Sequence, residues 1–239
     1  RRNMQKVFIT GIAGFLGSHL AKKMFDAGWI VAGNDNFIGA DRSNLHEFVK
    51  FFDIDCCDLE RMQEAIMGSD LVFHCAATAH EGLSVFSPSF ITKNNYEASV
   101  STFTAAINCG VQRIVFCSSM ARYGDQVTPF TEEMRPEPVD PYGIAKYAAE
   151  ETLKVLCDVH GVQWNIAVPH NIVEEGQKYD DPFRNVISIM LNRNLQGLPS
   201  IIYGDGEQTR CFSYIDDCVS CLVKMGVDPK ITKQVINIG

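Results

Sequence analysis

The sequence predicts an α/β fold, a doubly wound parallel sheet followed by a small second lobe that the chain leaves incomplete. Three observations carry this. Strand-like apolar runs alternate with helix-length amphipathic runs from Lys6 to Val168. The first strand runs directly into a glycine-punctuated turn that opens a helix. After Pro169 the alternation gives way to shorter, more polar segments.

The 239 residues, 46% of them hydrophobic, suffice for one large α/β domain with an appended lobe and need no covalent staples. A net charge of −8 argues against general nucleic-acid binding. The longest apolar runs are strand-length, so no membrane span is expected. The first strand begins within a few residues of the N-terminus, which leaves no room for a signal peptide. The cysteine count is odd, 9, and the residues are scattered through buried-looking segments, which favours free thiols in a reducing, cytoplasmic setting. Cys218 and Cys221 form a C-x-x-C that packs a helix face or, alternatively, takes part in a metal or redox site. With no second pair nearby, no metal is expected.

Val7 to Thr10 reads as the first strand, Gly11 to Gly14 as the turn and Phe15 to Ala27 as the helix, with Leu16, Leu20, Met24 and Ala27 on one side. Gly11 permits the tight turn, Gly14 admits the backbone close to a pyrophosphate, and Gly17 lets the helix approach the sheet. The helix N-terminus offers free N–H groups and the positive end of its dipole. The same glycines would also serve a turn with no ligand. Trp29 to Gly33 is the second strand and ends at Asp35-Asn36, which either closes the strand as a plain turn or presents a carboxylate to ribose hydroxyls. That carboxylate would repel a 2′-phosphate, and Arg42 is the nearest cation able to offset it.

Strands follow at Val49–Ile54, Asp70–Ala77, Val111–Cys117 and Val162–Val168, with helices at Leu59–Met67, Ser89–Gly110 and Tyr142–His160. Residues 124–141, rich in Pro, Glu and Asp, read as a surface loop. Beyond Pro169, 171–183 reads as loop, 184–195 as helix, Ile201–Tyr203 as a short strand, Asp216–Met225 as helix and Gln234–Ile238 as strand. Residues 1–170 are thus expected to form the main domain, and 171–239 mostly the second lobe, interleaved with the first. Ending on a strand, the chain reads as truncated.

Tyr142 and Lys146 stand at i and i+4, so both project from one helix face. A lysine ammonium beside a phenol favours phenolate, and an adjacent oxidised nicotinamide would add to the effect. A phenol so tuned can take a proton from a hydroxyl while hydride leaves the same carbon. Ser119, at the end of the fifth strand, can bond the substrate oxygen or the tyrosine.

TGIAGFLG, Asp35-Asn36, HCAA, CSSMARYG, PYGIAK, VPHN and GDGEQTRCFSYIDD follow one another in the order found in the extended short-chain dehydrogenase/reductases. Over essentially its whole length the chain resembles the nucleotide-sugar epimerase/dehydratase family, closest to UDP-sugar 4-epimerases. The resemblance implies a Rossmann sheet holding NAD through Gly11, Gly14, Phe15, Leu16, Gly17, Asp35 and Asn36. It implies that Asp53 and Ile54 contact the adenine and that Ala76, Ala77 and Asn95 line the dinucleotide. Ser119, Tyr142 and Lys146 match the family's catalytic positions, with Tyr142 and Lys146 also touching NAD. Asn171 matches its nucleotide-phosphate contact, and Arg210 the arginine that grips the nucleotide-sugar diphosphate, a task suited to a guanidinium. His170 is left without a role. The resemblance also implies a homodimer through the helices 89–110 and 142–160. Family dehydratases place an Asp-Glu pair after the catalytic hydroxyl residue, and related decarboxylases a glutamate. Met120 and Ala121 stand there, so 4-epimerisation is implied, with Glu81 the one acid that would complicate it. Two departures stand out: Glu174-Glu175 replaces the family's Gly-Pro, and the chain ends early. These leave a non-enzymatic NAD(H)-binding protein, or a nucleotide-sugar dehydratase or reductase, as alternatives.

Overall fold

The structure is a computed structural model that describes residues 5–174, 177, 186–202 and 204–239. In chain order it contains β1 (Lys6–Thr10), α1 (Phe15–Asp26), β2 (Ile30–Asp35), β3 (Lys50–Asp53), α2 (Leu59–Ile66) and β4 (Leu71–His74). There follow α3 (Glu81–Ser84), α4 (Pro88–Thr92), α5 (Ala98–Asn108), β5 (Arg113–Cys117), α6 (Pro141–His160) and β6 (Gln163–Pro169). The last elements are β7 (Ile172–Val173), α7 (Val186–Leu195), β8 (Ser213–Tyr214), α8 (Ile215–Val227) and β9 (Gln234–Ile238).

Seven strands form one parallel sheet in the order β3-β2-β1-β4-β5-β6-β9. The strand runs are continuously apolar because both faces are covered. On β1, Val7 and Ile9 face one helical layer and Phe8 the other; Leu71 and Phe73 on β4, and Ile114 and Phe116 on β5, divide in the same way. One layer holds α1 and α8, the other α2, α5 and α6. The order reverses between β1 and β4, and such a reversal opens a crevice at the carboxyl ends of the strands.

The segment after residue 170 divides. Helix α8 packs on α1 and β9 pairs with β6, so both belong to the main layers. Asn165 ties them in: its Nδ2 donates to Met225 O and Ile231 O, both at 2.8 Å, and its Oδ1 accepts from Gln234 N at 3.1 Å. Arg113 Nη1 donates to Met225 O, Gly226 O and Asp228 O, satisfying carbonyls that the end of α8 leaves open. Helix α7 contributes no residue to either hydrophobic layer, and the two-stranded pair β7–β8 stands outside the main sheet.

Some elements differ from expectation. Ile201 and Ile202 form no strand, their side chains being exposed with no sheet to join, and Tyr203 lies outside the described residues. The start of the helix expected from 184, most of the loop expected over 171–183, and Glu175 also lie outside them. The long helix expected from Ser89 is interrupted by a π-helical segment, Lys93–Glu97. Two short helices, α3 and the 3₁₀ turn Met120–Tyr123, lacked the length that gives a readable period.

Candidate active site

A cavity of about 650 Å³ opens at the crevice between β1 and β4. Its glycines are there for contact reasons. Gly11 sits at φ +67, and a Cβ on it would stand 2.8 Å from Ala76 Cα. A Cβ on Gly17 would stand 2.1 Å from Gly11 O, so Gly17 admits the turn itself more closely than it admits the sheet. Thr10 secures the opposite wall by accepting from Cys75 N and Ala76 N, each at 3.1 Å. With its lone pairs so used, Thr10 Oγ1 donates to His74 Nδ1 at 2.7 Å. His74 Nε2 then donates to Ser99 Oγ at 2.8 Å, and Ser99 donates to Asn95 O in the π segment. Burial pushes the His74 imidazole down to about 3, so the ring stays neutral in this chain of bonds.

Gly11, Gly14, Phe15, Leu16, Gly17, Asp35, Asn36, Ile54, Ala76 and Ala77 all line the cavity. Asp35 is buried; its Oδ2 accepts from Ala13 N at 3.1 Å and its Oδ1 from Phe37 N at 2.8 Å. Burial raises its carboxyl above the ordinary range, against the pull of those N–H groups. Each oxygen retains lone-pair capacity for a further donor. Asp53 is not in the lining. It ends β3 facing outward and pairs with Arg42 Nη2 at 2.9 Å, while Asp55, which accepts from Asn36 Nδ2 at 2.9 Å, lines the cavity instead. Asn95 is also outside the lining: fully buried, it donates to Thr78 O and Ile91 O and braces the wall from behind, while Asn94 and Ala98 reach the surface.

Tyr142 and Lys146 project into the cavity from the first turns of α6, which Asp140 caps through Gly143 N at 2.9 Å. Ser119 precedes the 3₁₀ turn Met120–Tyr123, where its hydroxyl accepts from Ala121 N at 3.2 Å; it favours ionisation of the Tyr142 phenol but does not itself line the cavity. Lys146 Nζ donates to Cys117 O at 2.7 Å and lies 4.7 Å from the Phe116 ring centroid. The expected lysine-driven lowering of the phenol is absent from this structure. Burial pushes Tyr142 well up, only the Ser119 bond favours phenolate, and the Lys146 ammonium is directed at a carbonyl. Burial also lowers Lys146 itself to about 8.

Asn171 and Arg210 lie beyond the dinucleotide cavity, at the strand pair that leads into 171–212. Asn171, at φ 33, donates from Nδ2 to Cys211 O at 3.1 Å, next to Arg210. Arg210 is exposed; its field lowers His170, whose first cause is burial, and opposes the burial-driven rise of Glu81. Glu81 in turn adds to the rise of Tyr142. Beneath it Arg122 Nη2 meets Glu150 Oε2 at 3.2 Å, both fully buried, and Ser118 donates to Glu150. Sequence reasoning missed Asn34, Asp55, Thr78 and Ser118 in or beside the cavity. The signal was their place at strand ends on the crevice side. Cys218 is buried and Cys221 exposed on α8, and both are free. Among the described residues no group of three or more His, Cys, Asp or Glu gathers to hold a metal. No helix of the described residues is long and apolar enough to cross a membrane.

A doubly wound sheet with a glycine turn at its reversal point defines a dinucleotide-binding protein. The sequence profile of the NAD dependent epimerase/dehydratase family matches residues 7–239, and the chain belongs to that family. Among relatives, it is 31% identical over 245 residues to a UDP-N-acetyl-alpha-D-glucosaminuronate decarboxylase of Bacillus cytotoxicus, covering 98% of this chain and 75% of the relative. The crystal structure of the Thermotoga maritima UDP-glucose 4-epimerase with UDP-glucose superposes with a TM-score of 0.93 at 32% identity, over 98% of this chain and 77% of that one. The UDP-glucuronic acid 4-epimerase of Bacillus cereus, in complex with UDP-glucuronic acid and NAD, gives 0.88 at 27% identity, over 98% and 77%.

Proposed function

We propose that the chain is an NAD-dependent 4-epimerase of UDP-sugars, working in the cytoplasm through a transient 4-keto sugar. The observation that carries this is the placing of Tyr142 and Lys146 together in the wall of a glycine-lined cavity, with Ser119 acting on the phenol from beside it. The residues fit NAD. A Cβ at Gly11 would run into the facing wall at Ala76, and the Asp35 carboxylate on the wall retains acceptor capacity for ribose hydroxyls. Gly14, Phe15, Leu16, Asn36, Ile54, Ala76 and Ala77 would complete the holding surface, with Asn95 bracing it. Bound there, NAD supplies an acceptor for hydride from carbon 4 and a donor for its return.

The chain's own groups do the rest. Tyr142 Oη takes the proton of the 4-hydroxyl and later restores it. Ser119 holds the phenol and stabilises phenolate as the proton arrives. Lys146, charged near neutral pH, fixes the end of β5 beside them. Asn171 and Arg210, on the segment 171–212, would hold the diphosphate, so that this segment forms the sugar-nucleotide lobe. Met120 and Ala121 carry no group able to abstract the carbon-5 proton, so the 4-keto sugar turns and is reduced from its other face.

Incubating the NAD-loaded protein with a panel of UDP-hexoses and following the sugar ring by NMR tests the reading. Interconversion of a 4-epimer pair is expected. A stable 4-keto-6-deoxy product, or no conversion of any UDP-sugar, would overturn it.

A further inference from the structure

The cavity floor carries two thiols that this reaction does not use. Cys75 follows β4 and Cys117 ends β5. His74 is paired with Phe116 in the parallel ladder, so the next residue of each strand stands opposite on the same face. The two Sγ atoms lie 3.6 Å apart, and both residues line the cavity. Both are free, Cys75 half-buried and Cys117 buried. Either sulfur can donate in this contact. The hydrogen bond between them draws Cys117 below its ordinary range, helped by the Lys146 ammonium, and pushes Cys75 up. Two sulfurs at contact distance, reached through an open cavity, need little motion to close.

We propose that Cys75 and Cys117 are an oxidisable dithiol on the floor of the cofactor site, closed to a disulfide by hydrogen peroxide. The Cys117 sulfur attacks peroxide, forming an S–O bond as the O–O bond breaks and hydroxide leaves. The Cys75 sulfur then displaces that hydroxyl as the S–S bond forms. Two thiols are oxidised, one peroxide is reduced, and the protons and oxygens leave as two waters. Closure shifts the Cys117 backbone, whose carbonyl holds Lys146, so turnover falls until a thiol reductant reopens the bond. The location at a cofactor site rests on the function proposed above; the bond itself does not.

The unliganded protein is treated with hydrogen peroxide, alkylated, digested and mapped by mass spectrometry. A Cys75–Cys117 cross-linked peptide is expected, abolished by dithiothreitol. Exposed Cys211 and Cys221 report that the oxidant has acted. In Cys75→Ala the cross-link is lost and dimedone captures Cys117 as its sulfenic acid, with an unchanged circular dichroism spectrum showing that the fold holds. Recovery of both thiols free at a dose that oxidises Cys211 and Cys221 overturns the proposal, as does joining of Cys117 to the neighbouring Cys218. Saturating NAD, its binding read by calorimetry, slows closure several-fold. Closure at an unchanged rate with NAD bound removes the pair from the cofactor floor. A cross-link that forms in a protein unable to bind NAD instead overturns the cofactor reading and leaves the dithiol standing.

Discussion

Lys146 is only 2% exposed, and burial lowers its ammonium from 10.5 to about 8. Below pH 8 it is charged in both folded and unfolded chains, and the cost of burying it is present in full. Between about pH 8 and 10.5 the unfolded chain keeps a proton that the folded chain has shed, so stability rises with pH across that window. Lys146→Met removes the penalty, at most roughly 3 kcal/mol at neutral pH. Its melting temperature at pH 7 is expected to equal or exceed that of the parent, with turnover sharply lost. A clearly lower melting temperature would mean that the bond to Cys117 O outweighs the burial cost. Tyr142→Phe should bind NAD nearly as well by calorimetry while turnover falls on the order of a hundredfold or more. Near-normal turnover would remove Tyr142 from the chemistry. At this scale spacing made the pair Tyr142 and Lys146 legible, because i and i+4 must share a face. Asp53 and Asp55 were not separable in that way, since which of two carboxylates turns inward depends on where β3 stops.

Helix α6 shows what an element decides. Its positions Ala145, Ala149 and Leu153 are buried within the chain. The exposed stripe is Ile144, Val155 and Val159, at helical spacing, with Phe86 and Phe90 exposed near α4. We propose that this stripe meets a second copy, and Val155→Glu combined with Val159→Glu should shift the protein to monomer in light scattering. A dimer unaffected by both charges would place the contact elsewhere. Glu150, beneath the site, is buried with its charge held by Arg122 and Ser118. Glu150→Gln strands a buried guanidinium and should destabilise by about 3–5 kcal/mol in urea unfolding; a loss below about 1 kcal/mol would show that water already solvates Arg122. The sequence reading recovered the sheet's elements to within a residue or two at most ends, because strands covered on both faces and helices with one apolar side have distinct periods. It missed α3, the 3₁₀ turn and the π segment, none of which spans enough turns to show a period, and it saw a strand at Ile201 where the described residues offer no partner strand.

At the scale of the whole molecule, the charge around Asp35 sets the choice of cofactor. Arg42, the one cation suggested as a partner for a 2′-phosphate, is bonded to Asp53 and lies 4.0 Å over the Phe37 ring. NAD is therefore expected to bind more tightly than NADP by calorimetry, and equal affinities would show that Asp35 does not face the ribose. The parallel, doubly wound sheet was legible from the alternation of strands and helices up to β6. The return of α8 and β9 to the main layers was not, because it depends on tertiary bonds from Arg113 and Asn165 made across long stretches of sequence. In the proposed reaction carbon 4 loses and regains its own hydrogen while the sugar stays in the site. A UDP-hexose carrying deuterium at carbon 4, given to the NAD-loaded protein in ordinary water, puts this to the test. A 4-epimer that retains the deuterium at carbon 4 is expected, and an epimer carrying solvent hydrogen there would overturn the proposed reaction.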